Sequence, residues 1–152
     1  MIRVQVTVSQ GVKVPEIAGP VVRRVVRRTC QTHGSSTPAG EASVLDVSLV
    51  GPSRIQSLNR DYRGVDSPTD VLSFPMAEED DFPGFDGPIY IGDVIVCPDQ
   101  LPGDMSTLHG LAFMVCHGTL HLLGWKHDDD KAAQRMNEAT EGILSNVLPP
   151  PL

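Results

Sequence analysis

Residues 105–124 are apolar on almost every side, through Leu108, Leu111, Ala112, Phe113, Val115, Leu120, Leu122 and Leu123. A helix with no polar face needs neighbours all round it, so this stretch predicts a central, buried helix. Asp104 is the expected N-cap and Gly124 the expected stop. The rest of the chain has to be arranged around this element.

The same helix carries His117 and His121, four residues apart and therefore on one face. Gly124 lets the backbone turn back, and His127 returns from beyond the helix end. The offsets of +4, +7 (Gly) and +10 from His117 resemble the zinc-binding pattern of metzincin proteases. Three neutral imidazoles with one open position describe a catalytic zinc site, with one Zn2+ per chain. Zincins place a glutamate directly after the first histidine as general base, but here that position is Gly118. Losing that base costs a peptidase roughly 10²–10⁴-fold. His33 and His109 have no comparable support as ligands.

The remaining elements read as an α+β domain with a small mixed sheet of about four strands packed with helices. Residues 2–8, 43–50, 71–74 and 89–96 have strand character. A helix fits residues 20–32, with valines on one face and Arg23, Arg24, Arg27 and Arg28 on the other. Ser53 and Gln56 suggest a capping box opening a short helix to Tyr62. A last amphipathic helix is expected over 130–147. Residues 34–41 and the acidic stretch 76–88 read as loops, the second as exposed and mobile. Repeats and a second domain are not evident, so 1–152 is expected to be one domain.

Charge and cysteine content narrow the setting. The net charge is −7, yet residues 1–63 carry +5 and residues 64–152 carry −12. An acidic total offers nucleic acid no general attraction, while a locally basic half still can. The arginine face of the first helix is either a solvated surface or an RNA-facing stripe. The three cysteines, Cys30, Cys97 and Cys116, are widely spaced and odd in number. They are expected to be buried hydrophobes in a reducing compartment. The N-terminus alternates like a strand and lacks the layout of a signal peptide. A cytoplasmic protein with no membrane contact is therefore expected.

Three blocks together resemble the YbeY family of bacterial endoribonucleases. The first is His117-Gly118-Thr119-Leu120-His121-Leu122-Leu123-Gly124-Trp125-Lys126-His127. The second runs from Asn59-Arg60-Asp61-Tyr62-Arg63 through Pro68-Thr69-Asp70-Val71-Leu72-Ser73-Phe74. The third is Ile91-Gly92-Asp93-Val94-Ile95-Val96. Trp125 and Lys126 stand where the family usually has tyrosine and aspartate. The resemblance implies a zinc-dependent, single-strand-specific endoribonuclease of 16S rRNA 3′-end maturation and ribosome quality control. Its implied partners are single-stranded rRNA and ribosomal particles, with no DNA expected.

The resemblance also implies that Arg63 is the catalytic arginine, because a guanidinium fork suits phosphate. The bland alternative pairs Arg63 with Asp61 or Asp66 on a surface turn. Asp70 and Ser73 either line the cleft or are structural. Two other functions compete: a zinc hydrolase of another substrate, peptidase-like, and a ribosome-biogenesis binding factor with structural zinc.

Overall fold

The computed structural model describes residues 2–34, 43–76 and 90–148. Strands β1 (Arg3–Val8), β2 (Val44–Leu49), β3 (Val71–Pro75) and β4 (Tyr90–Val96) form one mixed sheet in the order β1-β2-β4-β3. The first three strands of that order are parallel, and β3 is an antiparallel edge. Helices α1 (Ala18–His33), α2 (Pro52–Arg63), α3 (Thr107–Leu122) and α4 (Asp130–Val147) cover the sheet. The expected α+β class and four-stranded mixed sheet are both observed.

The two faces of the sheet are covered differently. On one face α1 lies against β1 and α3 against β3 and β4, with α4 packed on both helices. The main core forms there, around Leu45, Val47, Val94, Leu111, Val115 and Leu120. On the other face α2 packs through Ile55 and Leu58 onto Leu72 and Cys97. Helix α3 meets the sheet, α1 and α4, which explains why it is apolar nearly all round. Cys97 and Cys116 are buried and all three thiols are free, so they behave as core side chains. Among the described residues, no helix is long and apolar enough to cross a membrane.

The helix starts differ from expectation. The cap of α3 is Ser106, whose hydroxyl accepts from the His109 N–H at 3.1 Å, and Asp104 lies outside the helix. Helix α2 begins at Pro52 behind Gly51, and Ser53 forms no capping box. Proline at the first helical position is pre-set for a helix, so the start moves one residue upstream. Helix α1 starts at Ala18, which places Pro20 third. That position is tolerated because the first four N–H groups have no partner within the helix. Residues 77–88 and 35–41 of the two expected loops lie outside the described residues.

A polar cross-tie links β2 to β4 on the sheet face away from α3. Asp46 and Asp93 sit directly opposite each other in the parallel register. Like charges in such a pair repel. The Tyr90 hydroxyl lies between them, 2.6 Å from Asp46 Oδ2 and 2.6 Å from Asp93 Oδ1. Burial first, then the two carboxylates, hold the phenol proton firmly in place. Tyr90→Phe removes the bridge and leaves the repulsion. It should lower unfolding free energy by about 1–2 kcal/mol in a urea titration, and an unchanged midpoint would refute the tie.

Candidate metal centre

Helix α3 presents one less-buried stripe, His109, Phe113, His117 and His121, at four-residue spacing. The neighbouring Gly118 faces the sheet. A Cβ there would lie 2.7 Å from Val94 Cγ1 and 2.9 Å from Ser73 Oγ. The Ser73 hydroxyl donates to the Gly118 carbonyl at 3.1 Å, which ties the helix to β3. No side chain fits between helix and sheet at this point. The zincin glutamate is therefore excluded by packing, and His117 beside it is set toward the β3 edge.

The C-terminus of α3 shapes the rest of the site. Gly124 has φ +96°, a conformation that favours glycine. The Gly124 N–H donates to the His121 carbonyl and the Trp125 N–H to the Leu120 carbonyl, both at 3.0 Å. This pair of bonds is a Schellman motif, and it turns the chain back over the helix end. The Trp125 carbonyl then lies 2.9 Å from His121 Nδ1. A carbonyl only accepts, so Nδ1 carries the proton and His121 Nε2 keeps a free lone pair. Two residues later His127 reaches the same point.

One ring nitrogen from each of His117, His121 and His127 lies within 4.8 Å of the others, so the group can hold a metal ion. The two Nε2 atoms of His117 and His121 are 3.1 Å apart. Two ligands of a tetrahedral ion with metal–nitrogen bonds of 2.0–2.1 Å would be separated by roughly 3.3 Å. Burial first, and then the neighbouring histidines, push His117 down from 6.5 to about 4. Burial also lowers His121. Both rings are therefore neutral near pH 7, the form that binds metal. The tautomer, spacing and protonation all fit a bound cation.

The histidines floor a cleft of about 660 Å³ whose walls include Tyr62, Arg63, Asp70, Ser73 and Phe74. Arg63 is exposed at the end of α2. The Tyr62 and Phe74 rings meet edge-on at 5.0 Å and hold that helix end against β3. The expected alternative partners of Arg63 are both engaged elsewhere. Asp61 pairs with Arg60 at 3.2 Å, and Asp66 accepts from Gln56 at 3.1 Å. Arg63 thus forms no ion pair among the described residues.

Asp70 is the only carboxylate among the described cleft residues. Its Oδ1 accepts the Val71 N–H at 2.8 Å and the Thr69 hydroxyl at 3.4 Å, which leaves Oδ2 unbonded among the described residues. The Asn59 amide donates to the Ser67 carbonyl at 2.9 Å and anchors the turn between α2 and β3. Periodicity gave no hint of Asn59, because an anchoring amide inside a helix leaves no periodic signal.

Comparison with known proteins agrees with this geometry. A family model described as "Endoribonuclease YbeY" matches residues 8–148. The chain belongs to the YbeY family. It is 37% identical to the Azorhizobium caulinodans endoribonuclease YbeY over 86% of this chain and 82% of that protein. It is 42% identical to the Moorella thermoacetica protein of that name over 83% and 84%. A solution structure of a Thermotoga maritima protein superposes with TM-score 0.51 at 25% identity, covering 96% of this chain and 91% of that one.

Packing and protonation at this YbeY-family site each have a measurable consequence. Gly118→Ala should cost about 1–3 kcal/mol in denaturant unfolding, because a methyl overpacks the contact. His117 also makes the metal-free protein sensitive to acid. Its pKa is 6.5 when unfolded and about 4 when folded, so the unfolded chain binds its proton more readily. Its contribution is complete above about pH 6.5 and is lost as the pH falls toward about 4. Chelator-treated wild type should lose more stability across that window than His117→Asn. Parallel curves would refute the assignment.

Proposed function

We propose that this chain is a zinc-dependent, single-strand-specific endoribonuclease acting in rRNA processing in the cytoplasm, with 16S rRNA 3′-end maturation as its task. The observation that carries this reading is the cleft itself. Three convergent imidazoles face an arginine that no carboxylate among the described residues engages, in a chain whose family is named for endoribonuclease activity.

His117, His121 and His127 would hold the ion. When bound, zinc supplies Lewis acidity toward a phosphoryl oxygen. Imidazole ligands also suit other first-row metals, so metal analysis belongs in the test. The Trp125 carbonyl fixes His121 in the ligating tautomer. Arg63 binds the non-bridging oxygens, where its planar fork opposes the charge that builds during cleavage. Asp70 Oδ2 takes the proton of the attacking hydroxyl as its oxygen bonds to phosphorus, the leaving oxygen takes a proton from solvent as its own bond to phosphorus breaks, and Asp70 so replaces the base that Gly118 excludes. A peptidase reading is disfavoured because no glutamate can occupy position 118.

The test is cleavage of a short single-stranded RNA of 16S 3′-end sequence, with zinc measured on the same preparations. Wild type should carry zinc near one per chain. His121→Ala should lose both zinc and cleavage. Arg63→Ala should keep zinc and lose about 10²–10³-fold in kcat. Asp70→Asn should keep zinc and lose about 10²–10⁴-fold. Cleavage that survives unchanged in all three folded variants would sink the proposal.

A further inference from the structure

A second basic feature lies away from the metal cleft. Helix α1 and the end of α4 border a groove of about 600 Å³. Its polar lining among the described residues consists of Arg23, Arg24, Arg27, Arg28, Gln31 and Asn146, with no acidic residue. Arg60–Asp61 is the only ion pair among the described residues, so none of these four guanidiniums meets a carboxylate. Arg27 Nε donates to the Ile2 carbonyl at 3.5 Å, and the other three arginines have no hydrogen-bonded partner among the described residues.

This arrangement works against the helix on its own. Arg23 and Arg27, and Arg24 and Arg28, are like-charge pairs one turn apart, a spacing that destabilises an isolated helix. A solvated face on a chain of net charge −7 could interleave acidic residues, yet α1 contains none. All four cations are arginine, whose fork matches phosphate better than an ammonium does. The groove has no aromatic lining residue on which a base could stack. Its chemistry suits a phosphodiester backbone and does not read sequence.

Helix α1, which lines the groove, ends against the turn that carries the candidate ligands. Helix α1 ends at His33, whose ring meets Trp125 edge-on at 5.1 Å. The Trp125 carbonyl holds His121, and His127 follows two residues later. From Arg24 to His33 the helix rises roughly 13 Å, and from Arg28 roughly 7 Å. A strand lying along α1 therefore needs only a few nucleotides to round the end of α3.

We propose that the α1–α4 groove, through Arg23, Arg24, Arg27 and Arg28, is a second RNA-binding surface that grips the sugar–phosphate backbone of a strand whose other part lies in the metal cleft. This rests on the endoribonuclease reading for the cleft, while binding at the groove stands apart from cleavage. RNA too short to reach both places uses the cleft alone.

The experiment compares wild type with Arg24→Gln/Arg28→Gln, two exposed positions outside the cleft, after matching their urea midpoints. Fluorescence anisotropy would follow binding of a 20-nucleotide oligouridylate from low to moderate salt. The double variant should bind more weakly, and its log–log salt slope should be shallower by about 1.4, because two phosphates are no longer neutralised. In cleavage, kcat/KM for the long strand should fall through KM, while cleavage of a tetranucleotide stays at the wild-type value. If wild type cleaves nothing yet shows the binding difference, the cleft reading fails and the groove stands. Equal affinity and slope in the two proteins would overturn the groove. So would a loss confined to binding of phosphatidylglycerol vesicles, which would assign the groove to lipid headgroups.

Discussion

The close approach of α3 to the sheet at Gly118 is the packing constraint on which the site depends. With no Cβ at that position, the helix comes near enough to Val94 and Ser73 for the Ser73 hydroxyl to bond the Gly118 carbonyl. That approach determines the rotation of α3. Once the face bearing Gly118 is pressed to the sheet, the stripe bearing His117 and His121 is turned to the β3 edge, where the cleft opens. One packing requirement thus places two candidate ligands and removes the neighbouring glutamate that the ligand spacing would otherwise imply. A protease-like spacing of candidate ligands and the loss of the protease glutamate are two results of the same close packing.

The turn after α3 shows how backbone geometry and ligand chemistry are linked. The Schellman bonds satisfy carbonyls that a helix end leaves open. Only after this reversal does the Trp125 carbonyl reach His121 Nδ1. The same bond that orients the ring also selects its tautomer. Burial then keeps the rings neutral, which favours metal binding but makes the metal-free fold sensitive to acid. The site's readiness for a cation and its acid sensitivity come from one desolvation.

Much of this was legible in the residues because it follows from periodicity and offset. An all-round apolar helix announces a central position, and histidines at +4 and +10 around a glycine announce a shared point. Helix starts were less legible. Asp104 and Ser106 are both competent caps, and only the tertiary path decides which one meets a free N–H. Pro52 overrode the motif at Ser53 for a similar local reason. The Asp46–Tyr90–Asp93 tie was hidden more deeply. Alternation marks those aspartates as outward-facing, and the register that pairs them includes a shift between Val44 and Leu45 that leaves no sequence signal. The availability of Arg63 was likewise undecidable from spacing, because Asp61 and Asp66 both lie within three residues of it in the chain.

Among the described residues, what leaves Arg63 available is competition among its neighbours. Arg60 takes Asp61, and Gln56 takes Asp66, so the two carboxylates that would neutralise Arg63 are both engaged. Surface pairs of this kind contribute little to stability. Their effect here is on geometry, since each one holds a carboxylate away from an ion pair with Arg63. For a chain of net charge −7 this matters more than the total. A polyanion is repelled at long range by the net negative charge and is drawn where guanidiniums stand without carboxylates. Which carboxylates are engaged next to the cleft therefore shapes its local charge together with the placement of the arginines themselves.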